Sequence, residues 1–172
     1  MSLPKSKFDP LSLKELLRRL DIDFSQYQHP PLATCCDADA LGLIRSGLRT
    51  KNLFLRNDNG KRHFLLVTSP QSSVDLRRLS KQMGVSRLGF ASAARLDKYL
   101  GIKPGHVSLL ALGNDAAAEV ELWLDDSLWC GEALQCHPLD NQQTWAIAAL
   151  GIEKLLAHWQ RPWQVIEVPI ND

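Results

Sequence analysis

The chain has 172 residues, 45% hydrophobic and 23% charged, which suits one soluble domain with a core of ordinary size. No apolar run approaches the ~20 residues that cross a bilayer, and residues 1–10 lack the apolar stretch of a secretory signal. Net charge is only +1, yet residues 45–98 carry twelve Lys/Arg against three Asp/Glu and residues 99–172 carry three against ten. The basic block either attracts a polyanion by long-range field and counterion release, or pairs with the acidic half in the fold. Four cysteines, Cys35, Cys36, Cys130 and Cys136, are too few for a disulfide scaffold, so reduced thiols and a cytoplasmic setting are expected.

In chain order, Asp9-Pro10 precedes Leu11, Leu13, Leu16, Leu17 and Leu20, the spacing of an amphipathic helix with proline in its first turn. Asp21 to Pro31 is polar and ends in His29-Pro30-Pro31, which predicts an extended connector. Asp37 to about Arg45 predicts a short helix closed by Gly47. Residues 52–56 and 63–67 flank Asp58-Asn59-Gly60, a β-hairpin pattern because Asn-Gly accepts the positive φ of a tight turn. Helices follow from a Ser73 cap to Met83 and from Ser92 to Leu100, each ending in glycine. Val107 to Leu112, Glu119 to Leu124, Thr144 to Ala148 and Trp163 to Val168 read as strands, the second half-exposed because polar and apolar residues alternate. Ile152 to Trp159 reads as a helix. Interleaved helices and strands with a hairpin predict an α/β fold: a single compact domain, a mixed sheet and flanking helices. Residues 1–28 are expected to form an N-terminal helical extension.

Familiar signatures are missing. There is no Gly-rich phosphate loop, no G-x-S-x-G elbow and no HxxxH pair, and Cys130, Cys136 and His137 lack zinc-site spacing. No cofactor or metal is expected. Cys136 beside His137 does not make a thiol–imidazole dyad, since neighbours on a strand face opposite ways. What remains is Lys51 at a strand start after Arg45 and Arg49, either a solvated end residue or a phosphate or carbonyl grip. His137 opens a loop, either as a turn cap or as a functional group. Gly105 and Gly113 flank the Val107 segment, for turns or for close backbone approach to a ligand.

Four segments fall in order: Thr50-Lys51-Asn52-Leu53-Phe54-Leu55, Arg87-Leu88-Gly89-Phe90-Ala91, residues 100–108 with Lys103-Pro104-Gly105-His106-Val107-Ser108, and His137-Pro138-Leu139-Asp140-Asn141 with Thr144. Together they resemble the YbaK family, aminoacyl-tRNA deacylases related to the editing insertion of bacterial prolyl-tRNA synthetase. The likeness runs from about His29 to the C-terminus and is nearest to the freestanding branch that clears alanine from proline tRNA. It implies a curved mixed sheet with a pocket at one end and a trans-editing hydrolase acting on the aminoacylated 3′-adenosine of tRNA. Lys51, Gly105 and His137 would be catalytic, Asn52, Phe54, Ser108, Gly113, Asp125 and Asn141 would bind substrate, and Arg45 and Arg49 would contact tRNA. Prolyl-tRNA synthetase or translation factors are implied partners, while DNA and membrane are not. An aminoacyl ester is already activated, so positioned water and a stabilised oxyanion suffice for its hydrolysis. This chain departs from the family pattern at Leu109, where the Gly-x-x-x-Pro loop has proline, at His106, where a small residue is usual, and at Arg49, where histidine is common. The alternative is a non-catalytic module that keeps the fold and binds RNA, a small ligand or a protein partner.

Overall fold

The computed structural model describes residues 7–31 and 47–172; the helix expected over residues 37–45, with Arg45, lies outside them. The first element is α1 (Pro10–Arg19), entered through Asp9. Ser12 N–H donates to Asp9 Oδ1 at 2.8 Å and Asp9 N–H to Ser12 Oγ at 2.9 Å, satisfying two otherwise orphaned donors. Its buried face is Leu13, Leu16 and Leu17, as the leucine spacing predicts. The segment expected to be a connector instead forms β1 (Phe24–Gln28). The prolines lie beyond it and do not interrupt its ladder.

The hairpin forms as expected from β2 (Lys51–Arg56) and β3 (His63–Thr68), in the register Lys51↔Thr68 to Arg56↔His63. Then come α2 (Leu76–Gln82), β4 (Gly89–Phe90) and α3 (Ala93–Leu100). The cap of α2 is Asp75 rather than Ser73, its carboxylate accepting from Arg78 N–H, while Ser92 caps α3 as predicted. The Val107 segment is not a strand: a 3₁₀ helix spans Leu109–Asn114 behind a Ser108 cap. β5 (Val120–Asp125), β6 (Leu134–Cys136), β7 (Gln143–Ile147), α4 (Ala149–His158) and β8 (Trp163–Ile166) complete the chain. The last helix starts three residues earlier than Ile152. β5 is not half-exposed, because Glu121 alone reaches solvent and the rest is buried.

The strands make two sheets rather than one. Five are ordered β4-β2-β3-β5-β8 and three are ordered β1-β7-β6. The larger is mixed as expected, with β2 antiparallel to both neighbours and β3-β5-β8 parallel. One face of it, carrying Phe54, Leu65, Val67, Leu122 and Leu124, shares a core with Leu134, Trp145 and Ile147 of the smaller sheet and with leucines of α1, α3 and α4. The other face carries Leu55, Phe64, Leu66 and Trp123 and is packed by Leu79 of α2 and by Val85 and Leu88. Beyond β8 the chain is fastened beside the start of α2: Asp75 N–H donates to Pro169 O and Asn171 N–H to Ser73 O.

Residues 47–50 join the sheets. Leu48 bridges Leu134, with Leu48 N–H donating to Ala133 O and Gln135 N–H to Leu48 O. Thr50 Oγ1 adds a 2.7 Å bond to Gln135 O. At the start of β5, buried Arg161 pairs with Asp115 at 2.9 Å and donates to the carbonyls of Val120 and Asp115. Removing one partner of such a pair leaves a buried charge uncompensated.

His63 is 1% exposed, stacked against Phe54 at 5.6 Å and 4.1 Å from the Tyr99 ring. Arg95 Nη1 lies 2.9 Å from His63 Nε2, so Nε2 accepts and the ring is neutral. Burial, and then the charges of Arg95, Lys98 and Arg56, push its pKa below the ordinary 6.5, against a smaller opposing pull from Asp115. The unfolded chain therefore takes up this proton more readily than the folded one. Thermal stability is expected to fall as pH drops from above 6.5 through the depressed folded pKa. His63→Gln, which can still accept from Arg95, should flatten that fall in melting curves recorded from pH 7.5 to 5.

Candidate functional site

Lys51 opens β2 opposite Thr68, the last residue of β3, and β5 ends alongside at Asp125. Three strand ends thus form one rim of the large sheet. Asp125 is 4% exposed and receives Thr68 Oγ1 at 2.5 Å, Ser127 N–H at 2.9 Å and Ser127 Oγ at 2.8 Å. Its carboxylate is occupied in closing the strand end. Lys51 Nζ donates to the carbonyl of Ser72.

Side chains alternate along a strand, so Lys51 and Asn52 leave β2 on opposite faces. Asn52 shares its face with Phe54 and Val67, toward the smaller sheet. Its Oδ1 is buried and has no hydrogen-bond partner, and such an atom bears its desolvation cost uncompensated until a donor arrives. Phe54 is 5% exposed and stacked on His63, which makes it a support in the core behind Asn52.

On that same side, the loop from Gly105 to Ser108 meets the loop from His137 to Asn141. Ser108 is fully buried; its Oγ donates to His137 O at 2.6 Å and accepts from Leu110 N–H at 3.2 Å. His106 Nδ1 lies 3.5 Å from Leu139 O. Gly105 holds φ +84°, and a Cβ added to it would meet nothing within 4 Å, so the conformation and not space asks for glycine. Leu139 takes φ +65°, a left-handed setting that costs a leucine ~1–2 kcal/mol, and half-buried Asn141 follows within the same loop. Leu109, where the resembled pattern has proline, is 1% exposed and points into the core. Here the Ser108 hydrogen bonds, and not a fixed proline φ, hold the loop.

His137 Nδ1 lies 3.1 Å from Gln143 O. That contact makes Nδ1 a protonated nitrogen that donates to the carbonyl. A second histidine, unassigned from sequence, bonds the residue after Gln143: His29 is 9% exposed, with Nδ1 2.8 Å from Pro30 O and Nε2 2.8 Å from Thr144 Oγ1. Ser72, Thr68, Gln135 and His29 were all missed by sequence reasoning, because each acts through a partner distant in the chain. The His29-Pro30-Pro31 run was a visible signal only for His29. Half-buried Arg49 immediately precedes the rim.

Gly113 belongs elsewhere. A Cβ on it would lie 2.6 Å from Trp159 and 2.9 Å from Phe8, so it permits close packing. It lines a cleft of about 550 Å³ with Phe8, Asn114, Asp115 and Trp159, at the start of β5 and therefore at the opposite end of that strand from Asp125. Cys136 is also set aside: burial pushes its thiol up to about 12, too high for a thiolate nucleophile at neutral pH. Among the described residues no three His, Cys, Asp or Glu side chains converge as metal ligands would, and no helix is long and apolar enough to cross a membrane.

A lysine, an unpaired amide oxygen, a histidine and a hydrogen-bonding loop lie around one end of the large sheet of this α/β domain. The aminoacyl-tRNA editing domain matches residues 29–155. The chain is 32% identical over 152 residues to the prolyl-tRNA editing protein ProX of Acetoanaerobium sticklandii, covering 88% of this chain and 93% of that one. It is 32% identical over 150 residues to the zebrafish (Danio rerio) prolyl-tRNA synthetase associated domain-containing protein 1, covering 86% and 81%. Similar folds occur in the hypothetical protein APE2540 (TM-score 0.67, 15% identity, 91% and 97% covered). They also occur in a candidate trans-editing enzyme for prolyl-tRNA synthetase (TM-score 0.63, 17% identity, 99% and 100% covered). The chain belongs to the aminoacyl-tRNA editing domain family: it is an aminoacyl-tRNA editing hydrolase and binds tRNA.

Ser108→Ala removes the bond to His137 O and the cap on the 3₁₀ helix together. It should lower unfolding free energy by about 1–3 kcal/mol, read as a drop in the urea midpoint.

Proposed function

We propose that the chain hydrolyses alanine, or another residue as small, from mischarged tRNA for proline. The observation that carries this reading is the buried, unpartnered Asn52 Oδ1, set beside Lys51 and on the face of the Ser108–His137 loops. A buried acceptor with no partner is suited to a donor that arrives with the substrate, and an aminoacyl ester brings an α-ammonium group and a ribose hydroxyl.

In this reading the terminal adenosine lies at the sheet rim. Lys51 exchanges its Ser72 carbonyl contact for the terminal phosphate or the ester region. Asn52 Oδ1 accepts from the substrate. Backbone groups of the loop that starts at Gly105 hold the amino acid and the water, with Ser108 fixing that loop and Asn141 close by. His137 lines the site and orients the substrate. Water adds to the ester carbonyl, the bond to the ribose oxygen breaks, and that oxygen takes the proton, releasing free amino acid and intact tRNA. The 2′-hydroxyl can relay the proton, so no strong general base is needed. Phe54 and Asp125 serve as supports, and Arg45 and Arg49 would contact phosphate. The tRNA would be taken over from prolyl-tRNA synthetase or translation factors, the partners that the resemblance implies. A small side chain is favoured because a tightly bonded loop bounds the site, although discrimination by size alone reaches only ~10–200-fold per methylene.

The test is deacylation of alanyl-, cysteinyl-, seryl- and prolyl-tRNA for proline. One mischarged species should be cleared while prolyl-tRNA is spared, and Lys51→Ala should lower kcat/KM roughly a hundredfold or more with its melting curve unchanged. Equal rates for wild type and Lys51→Ala would overturn the lysine's role, and clearance of prolyl-tRNA would overturn the specificity.

Asn52→Leu separates function from stability. It removes an unsatisfied acceptor, so stability should hold or rise by up to ~1–2 kcal/mol, while deacylation falls at least about tenfold. Lower stability with full activity would show that the oxygen serves the fold.

A further inference from the structure

We propose that Phe90 is a stacking platform for a nucleobase in the unpaired 3′ end of tRNA, a role that rests on the editing function above. Phe90 is 63% exposed, and the other large hydrophobic residues comparably exposed among those described are the aliphatics Leu11, Leu150, Val165 and Ile170. Its exposure does not come from a loose loop. Phe90 pairs with Leu55 and Gly89 with Arg56 on β2, Ala91 N–H donates to Phe54 O at 3.0 Å, and Ser92 then caps α3. The backbone beneath the ring is held on both sides while the ring itself faces water. Such preorganisation lowers the ordering cost of binding.

The register says where the ring lies. Directly paired residues share a face of an antiparallel ladder, so Phe90 is on the side of Leu55, Leu53 and Lys51. Leu55 is four residues from Lys51, roughly 13 Å along the strand, a few nucleotides' reach from a terminal adenosine held at the rim. Leu88, two residues earlier on the same side, is 5% exposed. No large hydrophobic residue of the core cluster on that side is exposed to the same degree among the described residues, so the apolar exposure centres on one ring, less than the broad patch that a protein partner or a membrane would need. The chain on either side of the ring is cationic: α2 and the turn after it expose Arg77, Lys81 and Arg87, in the block where basic residues outnumber acidic ones twelve to three. An isolated π face amid lysines and arginines is how single-stranded nucleic acid is held: a base stacks and its phosphates find the cations.

The experiment compares wild type, Phe90→Ala and Phe90→Trp for binding of uncharged tRNA and of the same tRNA trimmed of its three 3′-terminal nucleotides. The expected result is about a tenfold loss of affinity for intact tRNA in Phe90→Ala, recovery in Phe90→Trp, and little difference among the three proteins on trimmed tRNA. Equal binding of intact tRNA by wild type and Phe90→Ala overturns the proposal. So does an equal loss on both RNAs, which would place the ring against the duplex, and so does absence of binding by wild type. Because binding is read on uncharged tRNA, a wild type that binds as expected yet clears no mischarged species would remove the editing reading and leave the stacking role standing.

Discussion

The short run of hydrogen bonds that fastens residues 47–50 to β6 is the contact on which the site depends. Leu48 adds a bridge to the smaller sheet, Thr50 bonds Gln135, and the next residue is already the first of β2 in the larger sheet. Two separate ladders are thereby brought to one corner. Lys51 arrives there from one of them, and His137, which follows β6 directly, arrives from the other. Neither sheet alone could hold both side chains. The join uses backbone donors and acceptors, which must be paired wherever they are buried, so its geometry is set by the fold rather than by adaptable side chains.

Strand alternation then divides the chemistry. The face of Lys51 ends in the Thr68–Asp125 pair, and the face of Asn52 ends in the loops joined by Ser108. Most buried polar groups near this corner have protein partners: Asp125, Ser108 and His29 are each hydrogen-bonded. Asn52 Oδ1 is not. Against satisfied neighbours, this acceptor, the one unsatisfied buried side-chain oxygen among the described residues, stands out as a place where folding stability was not optimised. Local sacrifices of that kind gather where a ligand completes the bonding.

Much of this was legible in the sequence, and the failures have definite causes. The Asn-Gly turn and the leucine spacing of α1 are local signals, and both elements form. Val107 to Leu112 is an apolar run without period, which suits a buried strand or a buried helix equally; the deciding signal was Ser108, a residue able to cap. Phe24 to Gln28 carries little apolar content because it pairs along one edge of a small sheet. β4 has two residues and β6 three, too few to show any periodicity. At the site, Lys51, Gly105, Ser108 and His137 all lie in the quoted motifs, while Gly113 lies in none of them and enters only as a glycine flanking the Val107 segment. The pairs Lys51–Ser72, Thr50–Gln135 and His29–Thr144 span 21, 85 and 115 residues of sequence. No local pattern encodes them.

The chain beyond β8 has an effect out of proportion to its size. Pro169 and Asn171 hold Ser73 and Asp75, immediately after Ser72, whose carbonyl holds the Lys51 ammonium. The lysine's resting position is thus tied, through one short turn, to residues near the far end of the chain. Anything that pulls on those residues, such as a tightly abutting carboxy-terminal tag, a fused domain or an assembly partner grasping the tail, works on that turn first. A partner that captured the tail would gain a handle on the lysine without touching the sheet rim where it stands.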